Sequence, residues 1–182
     1  MWTSAMKDYV TRLVHKYHDE LKAQGYSIRD IKEVKFNRKI NTYGTCTTHK
    51  DGTITIHISE IAFSGGNEVL KNTLLHELIH GFTDTKDHNA VWYRYAKEIG
   101  AKYGVNITQY VSKEERIACK EYRDSRYNWA VTCPKCGSVS KYFRKNKVVN
   151  TILRHGVIRC GCGHKGTDFK LDCLKKNVYV VY

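Results

Sequence analysis

The sequence predicts an α+β fold followed by a small cysteine-rich unit. Residues in the first 25 positions show a helical apolar period, three short strand-like segments come next, and two further helical segments follow. Strands grouped before helices favour an α+β arrangement over an alternating α/β one. Four cysteines late in the chain occur as two close pairs. We therefore expect a first domain over residues 1–128 and a second over residues 129–182.

The first elements are predicted from periodicity and turn residues. Residues 4–24 place apolar side chains at helical spacing, and Gly25 is a suitable stop. Three strands are predicted in "EVKFN", "YGTCTTH" and "GTITIHIS", and Asp51-Gly52 between the last two is a strong hairpin signal. Isoleucines alternate with polar residues in the third strand, so one of its faces should be buried.

The pattern becomes helical after Gly65-Gly66. Asn67 is the expected N-cap, and Gly81 the expected end of this helix. A further helix should begin near His88 and run to Ile99. The sequence "SKEE" from Ser112 is a capping-box pattern that predicts a short charged helix.

Charge is distributed unevenly along the 182 residues. The formal net charge is +13, and residues 133–182 hold 11 of the 31 Lys and Arg but 2 of the 18 Asp and Glu. Such a concentration of positive charge predicts binding to a polyanion, with nucleic acid the obvious one; a solvated basic surface is the alternative. No apolar run approaches the roughly 18 residues that span a bilayer, so no membrane partner is expected. The N-terminus lacks the pattern of a secretory signal, which favours a reducing compartment and metal binding by the cysteines.

The segment His76-Glu77-Leu78-Ile79-His80 is an H-E-x-x-H motif on a predicted helix. Residues four apart leave the same helix face one turn apart, so both imidazoles can bind one Zn²⁺. Glu77 projects beside them and is suited to accept a proton from an attacking water and deliver it to a leaving amine. The motif therefore predicts a catalytic zinc site.

A catalytic zinc usually has three protein ligands, and His88 is the predicted third one. It follows His80 after the short segment "GFTDTKD" and leads the next predicted helix. The other candidates for this position are Asp84, Asp87, Glu98 and His57.

A second, structural zinc site is predicted in the cysteine-rich unit. Its ligands are Cys133 and Cys136 in "CPKCG" and Cys160 and Cys162 in "CGCG". Because the second pair is one residue tighter than usual, His164 is an alternative to Cys162, and Cys173 is a weaker candidate. The remaining cysteines, Cys46 and Cys119, are expected to be ordinary buried thiols.

The segment between the cysteine pairs combines cations with aromatic residues. The candidate nucleic-acid-binding residues are Lys141, Arg144, Lys145, Lys147, Arg154 and Arg159. Tyr142 and Phe143 could stack on exposed bases, or could instead pack the small core of a β-ribbon.

In the order of these features the chain resembles the SprT-like, or Spartan-type, metalloproteases. The resemblance covers roughly residues 5–172: an N-terminal helix, "VKFNRKINTYGTCTT…GTITIHIS", "LLHELIHGF", "HNAVWYRYAKEIG" and "CPKCG…RCGCG". It implies a small zincin (minigluzincin-like) domain with an N-terminal helix, a three-stranded sheet and the H-E-x-x-H helix, plus a C-terminal zinc ribbon. His76, His80 and His88 would hold the catalytic zinc, with Glu77 as base.

The resemblance also implies a function, a location and a substrate geometry. Such enzymes cleave proteins bound or crosslinked to DNA, so the expected partners are protein substrates and single-stranded or irregular DNA. A compact bacterial or viral form is expected, cytoplasmic or nucleoid-associated. In zincin-type proteases an edge strand beside the active-site helix pairs with the substrate main chain, and "TITIHIS" is the candidate; an ordinary core strand is equally compatible with its pattern.

Two other functions fit the same sequence. One is a zinc-ribbon nucleic-acid-binding or transcription-associated module whose zincin domain is a non-proteolytic scaffold. The other is a protease with one dedicated protein substrate and no requirement for DNA.

Overall fold

The first helix is α1 (Ser4–Ala23). Its N-cap is Thr3, whose side chain accepts a hydrogen bond from the amide of Met6. The computed structural model describes residues 2–85 and 87–174 of the chain. Val10, Val14 and Leu21 of α1 are completely buried, as the helical apolar period predicted. The helix therefore contributes one continuous apolar face to the core.

A three-stranded sheet follows α1. It consists of β1 (Ile31–Asn37), β2 (Gly44–Thr48) and β3 (Ile54–Ser59), in the order β1-β3-β2. The central strand, β3, is parallel to β1 and antiparallel to β2, to which the predicted hairpin joins it. Of the two alternatives for "TITIHIS", the structure shows the core strand, because β3 is paired on both sides; β2 is the edge strand next to the H-E-x-x-H helix.

Four helices of the first unit follow β3. They are α2 (Glu60–Ser64), α3 (Asn67–His80), α4 (Ala90–Tyr103) and α5 (Lys113–Ala118). The N-cap of α3 is Gly66 rather than the predicted Asn67. Gly66 has φ 92, in the region that glycine tolerates best, so it can make the sharp entry into the helix. The capping box at Ser112 and Glu115 of α5 is present as predicted.

The helix α3 lies at the centre of the first unit. It contacts α1, α2, α4, β2 and β3. Because neighbours pack on several sides of it, the polar residues Thr73 and Glu77 are buried as well as its leucines. The helix that carries the H-E-x-x-H motif is therefore held rigidly by the rest of the unit.

The chain divides into two compact units between Lys120 and Glu121. The predicted boundary, after residue 128, lies beyond α6 (Lys120–Ser125), most of which the division assigns to the second unit. The last eight residues of the predicted 129–182 domain, 175–182, lie outside the described residues.

The second unit is a small mixed structure. Strands β4 (Trp129–Thr132), β5 (Val139–Tyr142) and β8 (Lys170–Cys173) form a sheet in the order β5-β4-β8, and β6 (Ile158–Arg159) pairs with β7 (Lys165–Gly166). Helix α7 (Lys147–Leu153) lies between β5 and β6. The sequence had also been compatible with a β-ribbon in this segment. The N-cap of α7, Asn146, accepts a hydrogen bond from the amide of Val149, a completely buried residue of this unit's core.

No helix among the described residues is both long and apolar enough to cross a bilayer.

Candidate metal centres and active-site cleft

The H-E-x-x-H helix and the segment after it bring three imidazoles together. The Nε2 atoms of His76 and His80 are 3.2 Å apart, and that of His88 lies 3.2 Å from His80 and 3.1 Å from His76. Three nitrogens bound to one tetrahedral zinc at about 2.1 Å would be about 3.4 Å apart. The three predicted histidines therefore have nearly the spacing of a zinc ligand set.

The protonation state of these histidines also suits a metal. Burial, followed by the neighbouring histidines, lowers the pKa of His76 to about 3, and burial also lowers the pKa of His80 to about 4. Neutral imidazole is the ligand form. The Nδ1–H of His76 donates to the carbonyl oxygen of Thr108 at 3.0 Å, which leaves Nε2 as the lone-pair atom facing the other two rings. The site thus fits a zinc ion by both geometry and charge.

The short segment that returns His88 to the site is held by several hydrogen bonds. Phe82 forms an isolated bridge with Ile28, and the amide of Thr83 donates to the carbonyl oxygen of Ser27 at 2.9 Å. The hydroxyl of Thr85 donates to the carbonyl oxygen of Ile79 at 2.9 Å, which satisfies an acceptor at the end of α3. These bonds explain how so short a connection can place His88 beside His80.

A tryptophan packs behind the three histidines. The ring of Trp92 is completely buried, and its centroid lies 4.8, 5.5 and 4.5 Å from those of His76, His80 and His88. It is carried by α4, whose N-cap Asn89 accepts a hydrogen bond from the Trp92 amide at 2.9 Å. Trp92 lies within the helix predicted from near His88 to Ile99, but its contact with all three rings was visible only in the tertiary structure.

The other candidates for third ligand lie apart from this cluster. Asp84 accepts a hydrogen bond from Tyr95, and Glu98 accepts one from Tyr26. His57 faces Lys35 and Thr45 across the sheet. Among the described residues, the histidine group that could hold a metal consists of His76, His80 and His88, and it does not include Asp87.

Glu77 is buried, with 6% of its surface exposed. Burial raises the pKa of Glu77 to about 8, and a hydrogen bond from the backbone amide of Cys46 acts in the opposite direction. A raised pKa makes the ionised carboxylate a stronger proton acceptor, which suits a general base. Both the burial and the nearby amide were invisible in the sequence.

A cleft of about 390 Å³ opens over this region of the first unit. Its lining includes the start of β2, Glu77, His76 and His88, together with residues 108–111, Glu115 and Arg116. Tyr43, Gly44 and Tyr110 also line it. The start of an edge strand, a buried carboxylate and two of the three imidazoles therefore line one cleft.

The four predicted cysteines of the second unit form a separate cluster. All four Sγ atoms lie within 4.8 Å of one another, with Cys133 and Cys162 at 3.8 Å and Cys136 and Cys160 at 3.7 Å. Four sulfurs around one zinc at about 2.3 Å would be about 3.8 Å apart. The spacing fits a tetrahedral structural zinc.

The tighter cysteine pair is accommodated by its turn. In the first pair the amide of Gly137 donates to the carbonyl oxygen of Cys133, four residues earlier. In the second pair the amide of Gly163 donates to the carbonyl oxygen of Cys160, three residues earlier, so this turn is one residue shorter. Gly137 and Gly163 have φ values of 70 and 88, so both turns depend on glycine. His164, the alternative ligand, instead contacts Asp168 at 2.9 Å.

The remaining cysteines do not join either cluster. Cys173 lies on β8 and packs against the core of the second unit. Cys119 is completely buried and its thiol donates to the carbonyl oxygen of Ile61, whereas Cys46 is half-buried beside Glu77.

The six candidate nucleic-acid-binding side chains are all exposed; they are Lys141, Arg144, Lys145, Lys147, Arg154 and Arg159. Two of them have partners within the unit: Lys141 pairs with Asp124 at 3.0 Å, and the ammonium of Lys145 lies 5.4 Å from the ring centroid of Trp129. Of the two aromatics, Tyr142 packs against the core, whereas Phe143 is 41% exposed and stacks on Tyr127. The structure thus leaves Phe143 at the surface and uses Tyr142 for packing.

Comparison with protein families decides the assignment of the first unit. The model of the SprT-like family matches residues 10–111. The chain belongs to the SprT-like family. Its matched region contains the H-E-x-x-H helix, His88 and all three strands of the first unit's sheet, while the cysteine cluster lies beyond it. Comparison with curated proteins gives no match.

Proposed function

We propose that this SprT-like protein is a zinc-dependent endopeptidase that cleaves proteins bound or crosslinked to DNA. The observation that carries the proposal is the convergence of His76, His80 and His88 next to an open cleft that the buried Glu77 also lines. Membership in the SprT-like family supports a metalloprotease-type function. The first unit would then be a zincin domain of the minigluzincin type, and the second a zinc ribbon.

The residues of the cleft have separate roles in the proposed reaction. The three histidines would hold the catalytic zinc, and the four cysteines of the second unit a structural one. Bound zinc supplies Lewis-acid chemistry, lowering the pKa of a water molecule and polarising a carbonyl group. Glu77 would take the proton of the attacking water and later donate it to the leaving amine.

The substrate would lie along the edge of β2. This strand pairs with β3 on one side only, so its other edge can accept an extended polypeptide by strand addition. Main-chain pairing makes few demands on side chains, which suits an enzyme that acts on many DNA-bound proteins.

The basic second unit would provide the DNA contact. Its six exposed cations, named above, favour a polyanion, and the exposed Phe143 favours bases that are not stacked in a duplex. We therefore propose single-stranded or irregular DNA as the partner, in the cytoplasm or at the nucleoid. The same charge supports the second candidate function, a nucleic-acid-binding module with a non-proteolytic zincin scaffold.

The deciding experiment is cleavage of a DNA-binding protein with and without single-stranded DNA. We expect cleavage to require zinc and to increase with DNA, and Glu77→Gln to reduce it by at least about 100-fold while zinc and DNA binding persist. Glu68→Gln, an exposed position on the same helix, is the matched control and should retain activity.

Three results would separate the candidates. Cleavage without any DNA dependence would favour a protease with a dedicated substrate. An inactive wild-type chain that binds both zinc and DNA would favour the scaffold function. Activity retained in Glu77→Gln would contradict the assignment of the base.

A further inference from the structure

We propose that the edge strand β2 positions the general base, with Gly44 leaving the space for the Glu77 side chain and the Cys46 amide fixing its carboxylate. The inference rests on the proposed function, since it deepens the role of Glu77. Gly44 and Cys46 are positioning residues in this account, because they act through Glu77.

Gly44 lies directly against Glu77. A β-carbon built on Gly44 would be 2.7 Å from Cγ, 2.8 Å from Oε1 and 3.1 Å from Cδ of Glu77. Contacts this short are repulsive, so any side chain at residue 44 would displace the carboxylate. Gly44 is not among the glycines with positive φ, so its backbone would accept alanine. Space for Glu77, rather than backbone freedom, therefore accounts for glycine at this position.

The strand register explains why Cys46 can donate to Glu77. The carbonyl oxygen of Tyr43 accepts a hydrogen bond from the Ser59 amide at 2.8 Å, so the peptide groups of Tyr43 face β3. Peptide groups alternate along an antiparallel strand, and Cys46, which lies opposite Ile56, therefore directs its amide away from β3. At that open edge the Cys46 amide lies towards the Glu77 carboxylate, and the interaction between them lowers the pKa of Glu77 against the effect of burial.

Together the two contacts restrict Glu77 from different directions. The backbone of Gly44 limits how far the side chain can move towards the strand, and the Cys46 amide orients the carboxylate. A buried carboxylate without a hydrogen-bond donor would be strongly disfavoured, so this amide also makes the buried position tenable. Since β2 is also the proposed substrate-binding strand, one rigid element would align the base and the scissile bond.

The first test is Gly44→Ala in the full chain. We expect kcat to fall about 100-fold, because a misplacement of about 1 Å can cost this much, while KM stays within about two-fold and zinc content is unchanged. The control is Lys35→Ala, an exposed residue of β1 at the opposite edge of the sheet, which should keep wild-type kcat.

The second test measures the contact between Cys46 and Glu77 by amide hydrogen exchange, independently of activity. In a ¹⁵N-labelled protein, the Cys46 amide should exchange slowly with solvent although it does not pair with β3. Glu77→Ala and Gly44→Ala should each speed this exchange by about 10-fold or more and shift the Cys46 resonance, whereas Lys35→Ala should do neither.

The outcomes of the two tests are distinguishable. Wild-type kcat in Gly44→Ala would overturn the proposal, and so would a lost kcat with an unchanged Cys46 amide. A wild-type chain that cleaves nothing, while its Cys46 amide responds to Glu77→Ala, would support the contact and contradict the proposed function alone.

Discussion

Arg29 is hydrogen-bonded twice to Gly81, through its backbone amide at 3.0 Å and through its guanidinium at 3.3 Å. The same guanidinium also donates to the carbonyl oxygens of Phe82 and Thr83. One side chain thus satisfies three successive carbonyl groups just after α3. These are the first residues of the segment that returns His88 to the cluster.

Replacing Arg29 should therefore weaken metal binding without touching a ligand. We expect Arg29→Ala to lower zinc affinity at the histidine site by about 10-fold, the low end of the range for residues that orient ligands. Competition with a chromophoric chelator measures this affinity. Arg12→Ala, an exposed position on α1, is the control, and an unchanged affinity in Arg29→Ala would show that the segment is held by its other bonds.

Metal content should separate the two zinc sites. We expect His88→Ala to lose the zinc of the first unit and keep that of the second, and Cys162→Ala to do the reverse. Metal analysis of the purified variants provides the measurement. Asp84→Ala and His164→Ala should keep both metals, because these side chains contact Tyr95 and Asp168 instead. Loss of zinc in either of them would reassign a ligand.

The thiol of Cys46 should be unreactive in the folded protein. Burial, together with the nearby Glu77, raises the pKa of Cys46 to about 12. Because only the thiolate reacts, the reactive fraction at pH 8 would be about 10⁻⁴, against about 10⁻¹ for an ordinary thiol, and it should grow only as the pH rises towards 12. Mass spectrometry after iodoacetamide treatment checks this, with guanidinium-unfolded protein as the control. Rapid labelling of Cys46 in the folded chain at pH 8 would be inconsistent with this burial.

Neutralising exposed cations of the second unit should reduce both DNA affinity and its salt dependence. For Arg144, Arg154 and Arg159 changed together to alanine, each lost phosphate contact should lower the slope of log affinity against log salt by about 0.7 for single strands. Fluorescence anisotropy with a labelled oligonucleotide across salt concentrations gives this slope. A variant with Lys50, Lys97 and Lys113 changed to alanine removes as much charge from the first unit. An equal loss in that control would point to net charge rather than to a binding surface.

Local chemistry accounts for what the sequence predicted well. Helical spacing alone places His76 and His80 on one face of α3. The turn at Asp51-Gly52 makes the β2–β3 hairpin, and Ser112 with Glu115 forms the capping box of α5. Such signals involve residues a few positions apart, whose geometry the backbone fixes. Family membership, predicted from the order of these motifs, is confirmed.

Apart from the N-cap of α3, what the sequence did not reveal concerns residues that are distant along the chain. The buried isoleucines of β3 predicted a strand with an apolar face but could not show which strands flank it, and its central position became visible only in the sheet. The contact of Gly44 with Glu77 joins residues on different elements. The sequence did contain one signal of this contact, a glycine within a predicted strand, because such a glycine often marks the close approach of another group.

By itself, the sequence determined the α+β class, the histidine and cysteine sets that could bind metal, and the basic character of the second unit. The tertiary structure decided that His88 joins His76 and His80, that Cys162 rather than His164 completes the sulfur cluster, and that β2 lies against Glu77. The reason is physical: side-chain type and spacing fix which groups are available, whereas burial and packing between separate elements fix which of them meet.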